Sequence, residues 1–200
     1  FYAAGPEPEE SNRLIYKRYA YFNERHPNSQ AKIRRTIDKV DINKAIKNTD
    51  AIFSIGNDFS ITTYKKFRKP IFRINPSTSP KISFNIDNLN KKSQKKILYF
   101  GGHGNIVKGL DILLDIFKDL PDLELFICAP HEEDFDQIFK DVLEKSKNIH
   151  FEGFINVGGK KFDKLTKNCG YVILPSCAEG IATSGVNCMR KGLVPITTHE

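Results

Sequence analysis

Two hundred residues with 40% hydrophobic and 28% charged content suffice for one sizeable α/β domain or parts of two, and they exclude disorder as the default. No apolar run approaches the roughly 20 residues of a membrane span, and the opening FYAAGPEPEE lacks the basic start and apolar core of a signal peptide. The net charge of +7 is unevenly carried: residues 1–100 hold 20 Lys and Arg against 9 Asp and Glu, and residues 101–200 hold 11 against 15. The basic half is the one suited to an anionic lipid, an anionic acceptor or nucleic acid.

The chain begins at Phe1 and closes at Glu200 directly after an apparent strand, which reads as a piece cut from a longer protein at both ends. After a short apolar start, residues 8–26 read as a charged helix with Leu14, Ile15, Arg18, Tyr19 and Phe22 near one face. The pattern then predicts a helix over 34–48, a buried strand over 51–56 closed by Gly56, a helix over 59–67 and a strand over 70–74. This alternation is the rhythm of a doubly wound sheet with too few strands to be complete. Around 75–96 the composition changes: Pro76, Pro80, several Ser and Asn, and a basic tail through Lys95 and Lys96 make an interdomain linker. The organisation is therefore a partial first lobe (1–75), a linker (76–95) and a second lobe (96–200).

In the second lobe the alternation is regular. Strands are predicted over 96–101, 123–129, 149–154, 171–174 and 193–198, and helices over 109–120, 132–145, 160–167 and 182–191. Five strands alternating with four helices make a parallel sheet, and ligands of such sheets lie beyond the carboxyl ends of the strands. The loops 101–108, 129–131, 154–159 and 176–180 all open on that edge. Cys128, Cys169, Cys177 and Cys188 form no CxxC pair, so a reducing cytoplasm fits them better than a disulfide framework, and their spacing to His103 and His131 matches no zinc motif.

The stretch 171–189, YVILPSCAEGIATSGVNCM, carries the most chemistry. An apolar strand is broken by Pro175 and Ser176, an acid and a flexible residue follow at Glu179 and Gly180, and a helix opens on Thr183, Ser184 and Gly185. Uncapped N–H groups and the positive end of a helix dipole suit a phosphate, and a neighbouring carboxylate suits hydroxyls. A phosphorylated polyol such as a sugar nucleotide has both groups. The loop GGHGNIVKG at 101–109 fails the P-loop pattern, because Leu110 and Asp111 stand where Lys and Ser or Thr belong, and it lacks the third glycine of the dinucleotide fingerprint. Asp134-Phe135-Asp136 imitates a metal-binding DxD, but its position in an amphipathic helix turns both acids to a solvated face.

The 171–189 stretch resembles the donor-binding signature of retaining glycosyltransferases of the GT-B type, the group 1 or family 4 class, in its strand, Pro-Ser and Glu-Gly-hydrophobic-small order. The second acid of that signature, eight residues after the first, is Asn187 here. The 101–109 loop resembles the Gly-Arg…Lys-Gly loop of the same class, with Gly102 and Lys108-Gly109 matching and His103 where the class has Arg. The resemblance covers 96–200 strongly and 1–75 weakly. It implies a GT-B-like α/β fold, with doubly wound parallel sheets in two Rossmann-like lobes and the first of them incomplete. It further implies a hexosyltransferase acting with retention, without a metal or resident cofactor, on a nucleotide-diphosphate sugar donor and a glycan or lipid-linked acceptor.

In this reading Lys108 holds the diphosphate with Gly102, His103 and the N–H groups of Thr183, Ser184 and Gly185. Glu179 and Gly180 take sugar hydroxyls, Asn187 takes the ribose, and Phe154 and Ile155 pack near the base or in the core. His131 is placed either to touch the donor or to start a helix. A cation at a helix start opposes the dipole, so Lys108 makes most sense with an anion beside it. The resemblance implies surface polysaccharide or glycolipid synthesis in the cytoplasm, peripheral at the inner face of a membrane, with the basic half toward anionic lipid. Two other readings are an inactive nucleotide-sugar-binding module and a basic nucleic-acid-binding protein. The second lacks the interleaved aromatic and basic pattern of single-strand binders, so nucleic acid is not an expected partner.

Overall fold

The computed structural model describes residues 1–29, 31–84, 86, 89 and 92–198. Linker residues 85, 87, 88, 90 and 91, and the closing Glu200, lie outside them. The first part runs β1 (Tyr2–Ala3), α1 (Pro8–Arg25), α2 (Lys39–Lys47), β2 (Ile52–Ser54), α3 (Asp58–Thr63), a 3-10 turn (Lys65–Phe67) and β3 (Ile71–Arg73). The second runs β4 (Ser93–Phe100), α4 (Leu110–Phe117), β5 (Glu124–Cys128), α5 (Glu133–Ile138), α6 (Lys140–Lys145), β6 (Ile149–Phe151), α7 (Lys160–Asn168), β7 (Cys169–Leu174), α8 (Thr183–Arg190) and β8 (Val194–Thr197).

Two parallel sheets result, as the alternation predicts. The small one has the order β1-β2-β3 and the large one β6-β5-β4-β7-β8. The apolar runs of β4 and β5 fill the large core, where Leu98, Tyr99, Leu125 and Ile127 are fully buried. The small sheet has a core of its own around Ala3, Ile46, Ile52 and Tyr64. Helix α1 does not join it: Ile15, Tyr19 and Phe22 pack into the core of the large sheet. Burying one such aromatic side chain contributes about 2–3 kcal/mol, so α1 is held by the second half of the chain although it lies in the first. Among the described residues no helix is long and apolar enough to cross a membrane.

Several predicted elements differ from the observed ones: β4 begins at Ser93, inside the linker expected over 76–95, and the helix expected over 59–67 ends at Thr63 ahead of a 3-10 turn. The helix expected over 34–48 begins only at Lys39, where the Asp38 side chain accepts from the Val40 N–H at 2.9 Å. Residues 32–37 are held open by α1 instead. Tyr19 donates to the Lys32 carbonyl at 2.8 Å and accepts the Arg34 N–H at 3.0 Å, while the Asn12 amide pairs with both backbone groups of Ile37 at 2.8 Å. These bonds satisfy the backbone groups that a helix would have paired. The helix over 132–145 is interrupted at Phe139, whose ring is buried against Phe22 and Phe135. The strand over 149–154 stops at Phe151, ahead of Gly153 with its φ of +73°.

Candidate functional site

The strand order places a topological switch point between β4 and β7. These strands are neighbours in the sheet (Leu98 opposite Val172, Tyr99 opposite Ile173), but the chain leaves β4 toward β5 and returns to β7 on the other side. A crevice opens beyond the carboxyl ends of strands at such a point. Two loops border it, 101–109 after β4 and 175–182 after β7. They touch: the Cys177 N–H donates to the Val107 carbonyl at 3.1 Å. Gly109, at φ +76°, lies so close that a Cβ there would stand 2.3 Å from the Pro175 carbonyl oxygen. This close approach is what the glycine permits.

The consequence is a direct ion pair between Lys108 Nζ and Glu179 Oε1, with side chains 11% and 23% exposed. Lys108 precedes α4 and Glu179 precedes α8. The acid therefore neutralises a cation that the start of a helix would otherwise disfavour. Helix α8 begins at Thr183 behind Ala182, which has no side chain to cap it, so its first N–H groups face the turn without a side-chain acceptor. Gly185 packs on Leu174, a Cβ there reaching 3.0 Å from the leucine methyl.

Beside this turn is a cavity of about 350 Å³, bordered by Ser176, Glu179, Ile181, Met189 and Thr198 and, from the first sheet's side, Asn57. The Ser176 hydroxyl oxygen is buried without a hydrogen-bond partner. Gly180 closes the turn against the loop after β2, since a Cβ on it would stand 2.4 Å from the Ile55 carbonyl oxygen. Under the loop after β4, the fully buried Tyr99 hydroxyl also has no partner. Burial first, then the negative charges of Asp111, Glu132 and Glu179, raise its pKa well above the usual phenol range, so it keeps its proton.

Glu132 is a site residue that the sequence pattern does not reveal. Its buried carboxylate accepts the N–H of Gly104 at 2.5 Å and of Asn105 at 3.3 Å, and meets Arg34 Nε at 3.1 Å. The amides at the bend of the glycine loop therefore serve an internal carboxylate. Arg35 Nη1 donates to the His103 carbonyl at 3.2 Å on the same loop. The signal for Glu132 was an acid directly after the strand-end motif Ala129-Pro130-His131, and for Asn57 the polar residue after the glycine that closes β2.

The other predicted residues fall in several places. Gly102 faces open space, and the His103 side chain is exposed, 3.8 Å from Glu132. Asn187 is buried on α8 with its Oδ1 accepting the Ser79 N–H at 2.9 Å, so it ties down the segment between β3 and β4 and does not line the cavity. Phe154 is 66% exposed, while Ile155 is buried in the large core. His131 lies away from the Lys108 pair, bonded to Asp136 at 2.7 Å and against the Phe151 ring.

Asp134 is not on a solvated face: it accepts the Lys32 N–H at 2.7 Å and pairs with Arg34, because residues 31–38 pass over the start of α5. Among the described residues no group of three His, Cys, Asp or Glu is arranged to hold a metal ion. Burial pushes the thiols of Cys128 and Cys169 up to about 12, the behaviour of small hydrophobes in a core.

With this geometry in place, comparison with known proteins adds the following. The family model described as "Glycosyl transferases group 1" matches residues 81–200. No curated protein matches the chain by sequence. Among solved structures, a variant of S. aureus TarM in complex with fondaparinux, alpha-GlcNAc-glycerol and UDP is 13% identical, with a TM-score of 0.62 over 85% of this chain and 35% of that one. Anabaena HepE in complex with UDP and glucose is 14% identical, with a TM-score of 0.60 over 80% and 47%. The catalytic domain of starch synthase IV from Arabidopsis thaliana, bound to ADP and acarbose, is 14% identical, with a TM-score of 0.52 over 78% and 41%. At these identities the likeness is one of fold, and the chain spans between a third and a half of each of these proteins.

Proposed function

The chain belongs to the group 1 glycosyl transferases, and from that premise we propose that it moves a hexosyl group from a nucleotide-diphosphate sugar to an acceptor hydroxyl with retention. The observation that carries this reading is the Lys108–Glu179 pair at the switch point, beside the uncapped start of α8. In the resting protein each is the other's counterion. A bound diphosphate takes over Lys108 and the first N–H groups of α8, which releases Glu179 to hold sugar hydroxyls. As the sugar–phosphate bond breaks, negative charge grows on the leaving diphosphate. Lys108 and the helix start are already oriented to stabilise it, which is the largest electrostatic lever open to this site. They supply charge that a divalent cation would supply elsewhere, and the proposed transfer needs no metal.

The acceptor in this reading is a glycan or lipid-linked hydroxyl in surface polysaccharide or glycolipid synthesis. The protein would be cytoplasmic and meet the inner membrane face through the basic first half. The ligands bound to the fold relatives, UDP with glucose and ADP with acarbose, support the donor class.

The test is calorimetric binding of UDP, GDP and ADP, followed by transfer assays with the matching labelled sugars. Lys108→Ala is expected to weaken the preferred nucleoside diphosphate by about thirtyfold, the cost of about 2 kcal/mol for removing one partner of a charge pair. Glu179→Gln is expected to keep that affinity within about threefold while lowering transfer by about 10². Unchanged diphosphate affinity in Lys108→Ala would refute the assignment. One observation favours a second reading, a nucleotide-sugar-binding module without turnover: Asn187, expected on the ribose, is engaged by the linker. Tight nucleotide-sugar binding with no product from any labelled donor would select it.

A further inference from the structure

Resting on the diphosphate reading above, we infer that Arg35, reaching over from the first half of the chain, is a second and permanently charged cation of the phosphate site. Arg35 is one of two non-glycine residues with positive φ among the described residues, at +65°. A side chain in that conformation costs about 1–2 kcal/mol, and such outliers persist where the surroundings over-determine them and cluster at functional sites. Here the backbone on either side is fixed: Arg34 donates its N–H to the Tyr19 hydroxyl, and Ile37 is pinned by Asn12.

The left-handed turn between those anchors throws the Arg35 side chain onto the glycine loop. Its stem lies flat on Gly104, where a Cβ would stand 2.4 Å from Arg35 Cδ, and that glycine is itself at φ +90°. The guanidinium reaches the His103 carbonyl at 3.2 Å. The same residue borders a small cavity with Val107 and Ala178, the neighbours in sequence of Lys108 and Glu179.

The contrast with the adjacent arginine is informative. Arg34 is saturated by Glu132 and Asp134. Arg35 instead donates to a carbonyl on the rim of the loop, and among the described residues no carboxylate lies within salt-bridge reach of it. A guanidinium has five donors in a rigid fork matched to phosphate oxygens, so one carbonyl bond leaves most of that capacity available. Glu132 occupies the amides of Gly104 and Asn105, which denies a phosphate those donors and makes a side-chain cation at this end of the loop more valuable.

The decisive variant is Arg35→Gly, which removes the guanidinium and relieves the left-handed strain together. The protein is expected to melt at the same temperature as the parent or higher, yet to bind UDP, GDP or ADP, whichever it prefers, at least tenfold more weakly, with the affinity for the bare nucleoside unchanged. Arg35→Lys should recover part of the loss, as a point charge without the fork. His103→Arg placed on Arg35→Gly should recover most of it by returning the charge to the loop from within. Parental diphosphate affinity in Arg35→Gly, alongside a large loss in Lys108→Ala, would overturn this inference and leave the proposed function standing. If the parent binds none of the three diphosphates, both fall. A loss that extends equally to the nucleoside, or one that His103→Arg does not relieve, would show that Arg35 only props the loop, and would also overturn it.

Discussion

Lys108 and Asp111 are three positions apart, and each meets an opposite charge from far along the chain, but the two arrangements do different work. Asp111, in the first turn of α4, is 0% exposed and faces α1, contacted by the guanidinium groups of both Arg18 and Arg25, while Arg25 and His26 also reach Asp115. Arg18 Nε and Nη1 and Arg25 Nε are buried with no partner, and the Arg18–Asp111 contact at the centre of the network is sealed, its side chains 6% and 0% exposed. Lys108 and Glu179 form a single contact that borders a cavity. A sealed pair cannot exchange partners without exposing a bare charge in a medium that solvates it poorly, whereas a pair beside a cavity can trade one anion for another. Burial on both sides distinguishes a clamp between two helices from a pair open to exchange.

The largest effect that tests this comparison is on stability. Asp111→Ala leaves the buried Arg18 guanidinium without a counter-charge and Arg25 with Asp115 alone, and is expected to cost about 3–5 kcal/mol in urea unfolding. Lys108→Ala should cost less, about 1–2 kcal/mol, because the Glu179 carboxylate it leaves unpaired borders the cavity, with its larger effect appearing in nucleotide affinity. Equal costs for the two variants would break the distinction. Gly109→Ala lies between the two pairs and should affect both. Its φ of +76° and the Pro175 carbonyl 2.3 Å from the added carbon predict a loss of about 2 kcal/mol. Diphosphate affinity should drop as well, because Lys108 is carried away from the turn after β7. A change in stability alone would show that the loop adjusts without moving its lysine.

The same contrast explains what was legible in the sequence. Strands β4, β5 and β7 of the large sheet were readable because their apolar runs end at glycine or proline. Lys108 and Glu179 were readable because a parallel sheet collects the loops at its carboxyl edge whatever their distance in sequence. Asp111 reads as an ordinary polar position of an amphipathic helix, since nothing local announces that α1, 86 residues earlier at Arg25, will cover it. The helix predicted over 34–48 fails for a related reason: the groups that keep residues 32–37 extended are the Tyr19 hydroxyl and the Asn12 amide, tertiary partners with no trace in the local periodicity. Asn187 satisfies the spacing of a ribose ligand, yet that spacing does not show that Ser79 would occupy its oxygen.

Asp134 provides an intermediate case and the smallest effect. It lies between the sealed and the open pair, partly exposed, joining residues 32 and 34 to the start of α5. Burial works to raise its carboxyl pKa, but the Lys32 N–H, the Arg34 charge and the first N–H groups of α5 outweigh burial and hold it below the ordinary 3.8. A carboxylate whose folded pKa is depressed adds stability that is fully present above the unfolded value and is lost as pH falls through the folded one. Asp134→Asn should therefore be less stable than the parent by about 0.5–1 kcal/mol at neutral pH, and the two unfolding curves should converge as pH is lowered from 3.8. The strap over residues 31–38 is also the backbone that aims Arg35. If the clamp at Asp134 sets that aim, the same variant lowers diphosphate affinity slightly at neutral pH. If it does not, Tyr19 and Asn12 hold the strap by themselves, and Arg35 keeps its place on the loop whichever way Asp134 titrates.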